Sequence, residues 1–340
     1  MSKKIYASFI ALSVVLGMLV VSVSSRTGDQ ATASASGAQA TLASLPASDA
    51  VIFVDVRRLL NDALPRVFAG DPAKLAKVNA EVDQFKTRYG IDPRSFDRVA
   101  VGARFNNPSA NVITTDLVTV AHGTFNAGAI VAAGRLASKG KYREEKYAGK
   151  TIYIFSVNDQ VKMLGLLNMR VRDLAVSALD ANTLAVGELA TVRATIDARS
   201  GRGRVSPELV SLATRTPDAI VGFGANMPPN VTQNINLDNE EISKNIASIR
   251  QVYGAVGTTT NGFDALAVAL TERPEQAQSL SDTLAALKQF GSVLAAQLPG
   301  DKGKLAQNAL ENLRVTTQGN ELQIRLELAQ TDLAMLVRGL

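Results

Sequence analysis

Apolar positions along this 340-residue chain fall into three regimes. The first is an uninterrupted run of 19 residues without a charge, Ile5 to Val23, preceded by Lys3 and Lys4 and followed by Arg26. The second, residues 27–44 (TGDQATASASGAQATLAS), has no apolar period and little charge. It is predicted to be a flexible linker, with a coil reach of about 25 Å. The third begins near Leu45-Pro46, where short strand-like and longer helix-like apolar patterns alternate with Gly, Pro, Asp and Asn turns.

Within that third regime, Ala50–Val56 is rich in β-branched residues and reads as a strand. A helix is predicted from Asp71 to Gly90. Asp71 caps it, Pro72 takes the first helical position, Leu75, Val78, Val82 and Phe85 recur at helical spacing, and Gly90 ends it. Strands are predicted at Arg98–Phe105 and Asp116–Phe125, a short helix at Asn126–Leu136, and a strand at Lys150–Val157. A hairpin follows at Asp173–Val186, then a helix at Ala190–Asp197.

The second half echoes the first. Pro217-Asp218-Ala219-Ile220-Val221 resembles Pro46-Ala47-Ser48-Asp49-Ala50-Val51, and two further strands precede a helix from Pro274. That helix carries Ala277, Leu280, Leu284, Leu287, Leu294 and Leu298 on one stripe and stops at Pro299-Gly300. A helix through Leu305, Leu310 and Leu313 is expected next. In the last hairpin Leu322, Ile324, Leu326 and Leu328 alternate with Glu321, Gln323, Arg325 and Glu327. Such alternation puts one sheet face on a core and the other in water. The expected fold is therefore α+β, two tandem repeats (45–205 and 206–340) of mainly antiparallel sheet with helices packed on one face.

The N-terminal run is intermediate between a signal-peptide core of ~7–15 residues and a spanning helix of ~20. It fits both a cleaved signal peptide and a single membrane anchor. Val23-Ser24-Ser25 supplies small residues for cleavage; Ala38-Gln39-Ala40 matches the cleavage pattern better but lies well past the run. Lysines ahead of the run keep the N-terminus cytoplasmic and place the rest outside. The expected location is thus extracytoplasmic, periplasmic in a bacterium, either soluble or tethered through Ile5 to Val23.

Composition narrows the chemistry. There is no cysteine, which removes disulfides, thiol nucleophiles, thiolate zinc sites, iron–sulfur clusters and an acylated N-terminal cysteine. Trp is absent and aromatics are 5%, so stacking platforms are few. Net charge is +5, distributed unevenly: +6 over residues 130–215 and −4 over 216–340. A pI near 9.4 would suit nucleic acid, but the export signal and the small excess argue against it.

Candidate sites each meet a plainer alternative. His122, the one histidine, would have to serve any Ser/His/Asp triad, yet no Gly-x-Ser-x-Gly elbow is present; it reads as a strand residue near a sheet end. Asp238-Asn239-Glu240-Glu241 lacks EF-hand spacing and reads as an acidic helix start. Gly201-Arg202-Gly203-Arg204 and Gly222-Phe223-Gly224 lack phosphate-loop continuations and read as turn or strand glycines. Asn230-Val231-Thr232 is a glycosylation sequon by pattern. No catalytic residue, cofactor or metal ligand is assigned. The best surface candidate is the basic stretch Arg135, Lys139, Lys141, Arg143, Lys146 and Lys150, facing anionic headgroups or an acidic polymer, or else a lysine-guarded sheet edge. Gln323 and Arg325 mark a second candidate on the water-facing side of the last hairpin.

Leu45-Pro46-Ala47-Ser48-Asp49-Ala50, a strand, a helix, and then Tyr89-Gly90-Ile91-Asp92-Pro93 before another strand resemble uncharacterised exported bacterial α+β proteins that open with a Leu-Pro-Ala-Asp-like turn. The resemblance spans about residues 45–105. It implies an envelope location and an α+β fold, and no activity or site residue. The expected function is that of a non-enzymatic envelope protein binding a partner protein or an anionic surface polymer. The alternative is a carrier or sensor of a lipid-like apolar ligand between sheet and helices.

Overall fold

The computed structural model describes residues 29–109, 112–163, 167–228 and 240–332. The apolar run Ile5–Val23 and the Asn230-Val231-Thr232 sequon lie outside them. The fold is α+β, built on one twelve-stranded, wholly antiparallel sheet in the order β11-β12-β10-β9-β8-β1-β2-β3-β7-β6-β5-β4. β1 (Ala50–Asp55) and β8 (Val221–Asn226) sit side by side at its centre, Ala50 opposite Ala225 and Val54 opposite Val221. The sequence echo at Pro46 and Pro217 therefore feeds the two central strands. Outward from them the halves repeat one order: β2 (Phe96–Ser109), β3 (Val112–Gly123), β7 (Thr183–Gly187), β6 (Leu167–Asp180) on one side; β9 (Ile249–Thr259), β10 (Gly262–Thr271), β12 (Glu321–Ala329), β11 (Leu313–Gln318) on the other. β5 (Lys150–Met163) and β4 (Tyr142–Tyr147) extend the first half. The β5–β6 hairpin continues to the pair Met163–Leu167, past the ends of both its neighbours.

Helices cover both faces of the sheet's centre, a broader cover than the alternation at 321–328 alone predicts. On one face, α2 (Val56–Arg58) runs through a π-helical turn (Leu59–Ala63) into α3 (Leu64–Val67), and α5 (Ala127–Ala137) lies beside them. Val54, Leu59, Phe96, Phe125, Ile130 and Val176 form the core beneath. On the other face, α1 (Asp29–Leu42), α6 (Leu189–Arg199) and α7 (Pro207–Ala213) bury Leu42, Leu45, Val51, Phe53, Ile152, Val192 and Leu209. The physical reason is in the central strands. Ala50–Val54 is apolar at odd and even positions alike, and both sets need cover. In the second half the alternation holds as read: α9 (Pro274–Gln297) buries Ala277 and Leu280 against Leu322, while Arg325 and Glu327 on the far side are exposed.

The stretch 27–44 departs from the linker expectation. Residues 29–42 form α1, whose Ala38, Thr41 and Leu42 are buried. Small side chains do not extend a helix from the body here; they let it lie close. At Gly37 a Cβ would meet the Arg98 guanidinium at 2.4 Å. Pro46 then bridges to Arg204, and the Ala47 amide donates to the Gly203 carbonyl, so the Gly201–Arg204 turn is a clasp for the incoming chain.

α4 (Pro72–Tyr89) forms with the caps expected: Asp71 accepts from the Lys74 amide at 3.0 Å, and Gly90 adopts φ +69°. Its apolar stripe is only half-buried. The Gly-Ile-Asp-Pro turn closes through Asp92, which accepts from the Arg94 amide and pairs with Lys86 at 2.9 Å. The Gly222 and Gly224 of β8 are there for packing: a Cβ on Gly222 would stand 1.9 Å from the Ala213 carbonyl oxygen, and one on Gly224 would stand 2.8 Å from Leu212 Cβ. The helix that supplies both, α7, was not apparent from the sequence.

Two substitutions test this packing. Leu42→Ala, at a side chain 0% exposed, is expected to lower the unfolding free energy by about 2–5 kcal/mol, read as a reduced urea midpoint at unchanged slope. An unchanged midpoint means α1 is not docked. Gly222→Val is expected to leave little folded protein, because neither the Ala213 backbone nor the central strand can retreat; a variant melting like wild type contradicts the close approach of α7.

Candidate functional site

The six basic residues singled out in the first half gather around β4 but do not form one patch. β4 is an edge strand, and its alternate residues face opposite sides. Arg135, in the last turn of α5, lies across the rings of Tyr142 and Tyr153 at 5.3 and 5.2 Å, donates through Nε to Tyr142 Oη at 3.0 Å, and pairs with Glu144 at 3.4 Å. The Tyr142 hydrogen bond pushes its pKa further up. On the other side Arg143 pairs with Asp173 at 3.3 Å. The Lys146 ammonium donates to Thr151 Oγ1 at 2.6 Å. Lys139, Lys141 and Lys150 make no ion pair within 4 Å among the described residues. Local partners thus take up half of this charge.

The same strand is tied to α6 through its other face. The Arg193 guanidinium grips the Glu145 carboxylate through Nε and Nη2, at 2.6 and 2.5 Å, and holds that carboxyl below its ordinary value. Tyr147 Oη donates to Asp197 Oδ2 at 2.7 Å, and Arg202 donates to the other oxygen. These hydrogen bonds, Tyr147 first and then Arg202, hold Asp197 below 3.8, while the same contact pushes the Tyr147 phenol above 10.0. Burial, with Asp116 adding to it, raises Glu188 above 4.5. Glu145, Arg193, Tyr147, Asp197 and Arg202 form a strap between edge strand and helix.

Gln323 and Arg325 stand on the open side of the last hairpin. Arg325 is exposed and directly opposite Arg314 of β11, with Leu266 of β10 on its other flank. Gln323 lies between Val268 and Thr316 and donates to Glu321 at 3.4 Å. Glu321 also accepts from Tyr253 Oη at 3.4 Å, and Arg215 covers the Tyr253 ring at 4.7 Å. Burial first, then the Glu321 charge, raises the Tyr253 pKa. Arg314 was not singled out from the sequence; its position opposite Arg325 depends on a register the sequence alone does not display.

A further surface was also invisible there. On the face of the sheet that carries α2, α3 and α5, Ile52 in the central strand is 41% exposed. It stands in a row with Val101, Phe223 and Ala267, each half-buried or exposed. The Phe223 ring lies over Gly254, where a Cβ would meet it at 2.5 Å. Small residues make this part of the sheet a shallow apolar floor.

The other sequence candidates lie elsewhere in the fold. His122 Nδ1 lies 3.2 Å from Thr183 Oγ1, in a cross-strand row with Arg98. Of Asp238-Asn239-Glu240-Glu241, the first two lie outside the described residues and the last two open α8 (Glu240–Ala247). Among the described residues no group of three or more His, Asp or Glu is placed to hold a metal ion. No described helix is long and apolar enough to cross a membrane.

No protein-family profile and no curated protein matches the chain. Five solved chains match. Three of them are crystal forms IV, III and I of TP0453, with 11%, 10% and 10% identity and a TM-score of 0.42 each. They cover 87%, 88% and 88% of this chain and 96%, 98% and 97% of their own. At that level of similarity nothing about function transfers. The class reached is an α+β protein on a single antiparallel sheet.

The Asp197 contacts carry a pH consequence. Because the folded carboxyl is depressed below 3.8, it contributes stability above that value and loses it as the pH falls through the folded value. The stability difference between wild type and Asp197→Asn is expected to be flat from pH 7 to about 5 and to shrink steadily below 3.8. Urea midpoints across that range check it; a constant difference down to acid pH contradicts the strap.

Proposed function

We propose that the chain is a non-enzymatic, exported envelope protein that binds a partner protein or anionic surface polymer through exposed sheet surface. The observation that carries this reading is the open face of β11 and β12. There Arg314, Thr316, Gln318, Arg325 and Glu327 are all exposed, on the face of the last hairpin opposite α9. A row of polar side chains on a rigid sheet suits a flat partner. The charge pattern around Ile5–Val23 supports export, with that segment as signal or anchor. Lys139, Lys141 and Lys150, which make no ion pair among the described residues, extend the same reading to an anionic polymer.

A second reading has one specific observation in its favour. Ile52, Val101, Phe223 and Ala267 offer an apolar floor in the middle of the sheet, which suits a lipid-like ligand lying across the strands. Ligand sites of that kind are concave and mostly apolar.

The double variant Gln323→Lys, Arg325→Glu is expected to fold normally and to lose partners captured by crosslinking in cells; undiminished capture sinks the sheet-face reading. Native mass spectrometry addresses the second. Lipid retained by wild type and lost in Ile52→Asp favours a carrier, while its absence from repeated preparations removes it. Intact mass from separated membrane and soluble fractions settles the N-terminus: a membrane species keeping Met1 or Ser2 is anchored, and a soluble one starting near Arg26 is released.

A further inference from the structure

The sheet ends in two strands of opposite character. β4 reads Tyr-Arg-Glu-Glu-Lys-Tyr, charged on both faces. β11 reads Leu-Arg-Val-Thr-Thr-Gln, with one charge and three successive β-branched residues. An outer strand presents unpaired N–H and C=O groups to any other strand, and charges are the usual means of discouraging it. β4 carries that protection along its length, and β11 has Arg314 alone. Among the described residues nothing pairs with the outer side of β11. The carbonyl of its first residue, Leu313, accepts from the Lys288 ammonium at 2.6 Å. α9, which packs on β11, brings further uncovered apolar surface to this end of the sheet: Leu287, Phe290, Leu294 and Leu298 are 54%, 63%, 48% and 49% exposed. Their spacing puts them on one side of the helix.

We propose that β11 is a self-association edge, at which two copies of the chain meet β11 to β11, antiparallel about a twofold axis, and continue the sheet from one copy into the other. The proposal concerns the strand's edge and does not rest on the open-face reading above. The strand's own pattern selects the second copy as occupant. Leu313, Val315 and Thr317 lie on the α9 side, and Arg314, Thr316 and Gln318 on the solvent side. Directly opposed residues of an antiparallel pair share a face, so a register that keeps both sheets' faces aligned must oppose like parity with like. With the axis on Thr316, that residue meets Thr316 of the partner subunit. Val315 meets Thr317 of the partner subunit, and Arg314 meets Gln318 of the partner subunit. The two arginines stay apart, the threonines pair, and Leu313 is left to Lys288. A twofold interface of this kind is self-complementary and closes at two copies.

The absence of cysteine makes the test direct. In Thr316→Cys the only thiol of each copy sits on the axis. Opposed residues there have Cα atoms about 4.5–5.5 Å apart, within the range of a disulfide. Arg314→Cys and Gln318→Cys place the two thiols four residues out of step, roughly 13 Å apart. Mild oxidation of the full chain, in detergent where it fractionates with membrane, is expected to give a covalent dimer from Thr316→Cys and not from the other two. Sedimentation is expected to find wild type dimeric, Thr316→Lys and Thr316→Glu each monomeric, and their equal mixture dimeric again. The proposal is overturned by a monomeric wild type, by equal crosslinking at all three positions, or by a mixture that does not reassociate. A monomer whose β11 is captured by another protein's strand overturns it too, in favour of strand addition by that protein.

Discussion

The antiparallel seam between β1 and β8 is the contact on which the remaining structure depends. It joins two halves that are far apart in sequence, and it does so edge to edge, leaving no sheet edge inside the molecule to be guarded. Its cost is that both faces of the joined strands need cover, which on the Val54 face stops short of Ile52. Phe53 and Val51 point one way and Val54 the other, so helices are required above and below. β8 makes room for the closest of them by carrying glycine where α7 crosses. With no disulfide available, the cohesion of the halves rests on this ladder and on the side chains packed over it.

Much of this was legible from the chain. The strands at 50–56, 98–105 and 321–328, the capped helix after Asp71 and the long helix from Pro274 follow from periodicity and turn chemistry, because in each the local preference and the tertiary demand agree. Cover on both faces was also written in the sequence, in the unbroken apolar stretch at 50–54. It was masked by weighing the clean alternation of a peripheral hairpin as typical of the whole sheet. The 27–44 segment misled for another reason. Alanine, serine and threonine lack an apolar stripe, but a helix that must approach a strand closely needs small residues, and the buried Ala38 and Leu42, four apart, were its mark.

The surface sites were less legible still. Clustering of Arg135 to Lys150 in sequence suggested one basic patch, yet a strand distributes neighbours to opposite faces and supplies each with a different partner. Opposed arginines, a half-exposed isoleucine at the centre of the sheet and an outer strand with one charge all depend on register or on the order of strands. Neither is encoded locally. That is why the fold class could be read from the chain and these surface arrangements could not.

The docking of α1 has a bearing on how the body sits if Ile5–Val23 remains in a bilayer. A coil from residue 27 to 44 would have let the body roam. With the helix starting at Asp29, five residues, 24–28, separate it from the apolar run, and five residues span at most about 17 Å. Gly37 lies over Arg98 and Leu45 beside Gly102, so the helix enters from the end of β2 where Phe96 begins. The membrane would then be met by that end of β2, and the long β5–β6 hairpin, which points the other way along its own strands, would be directed outward.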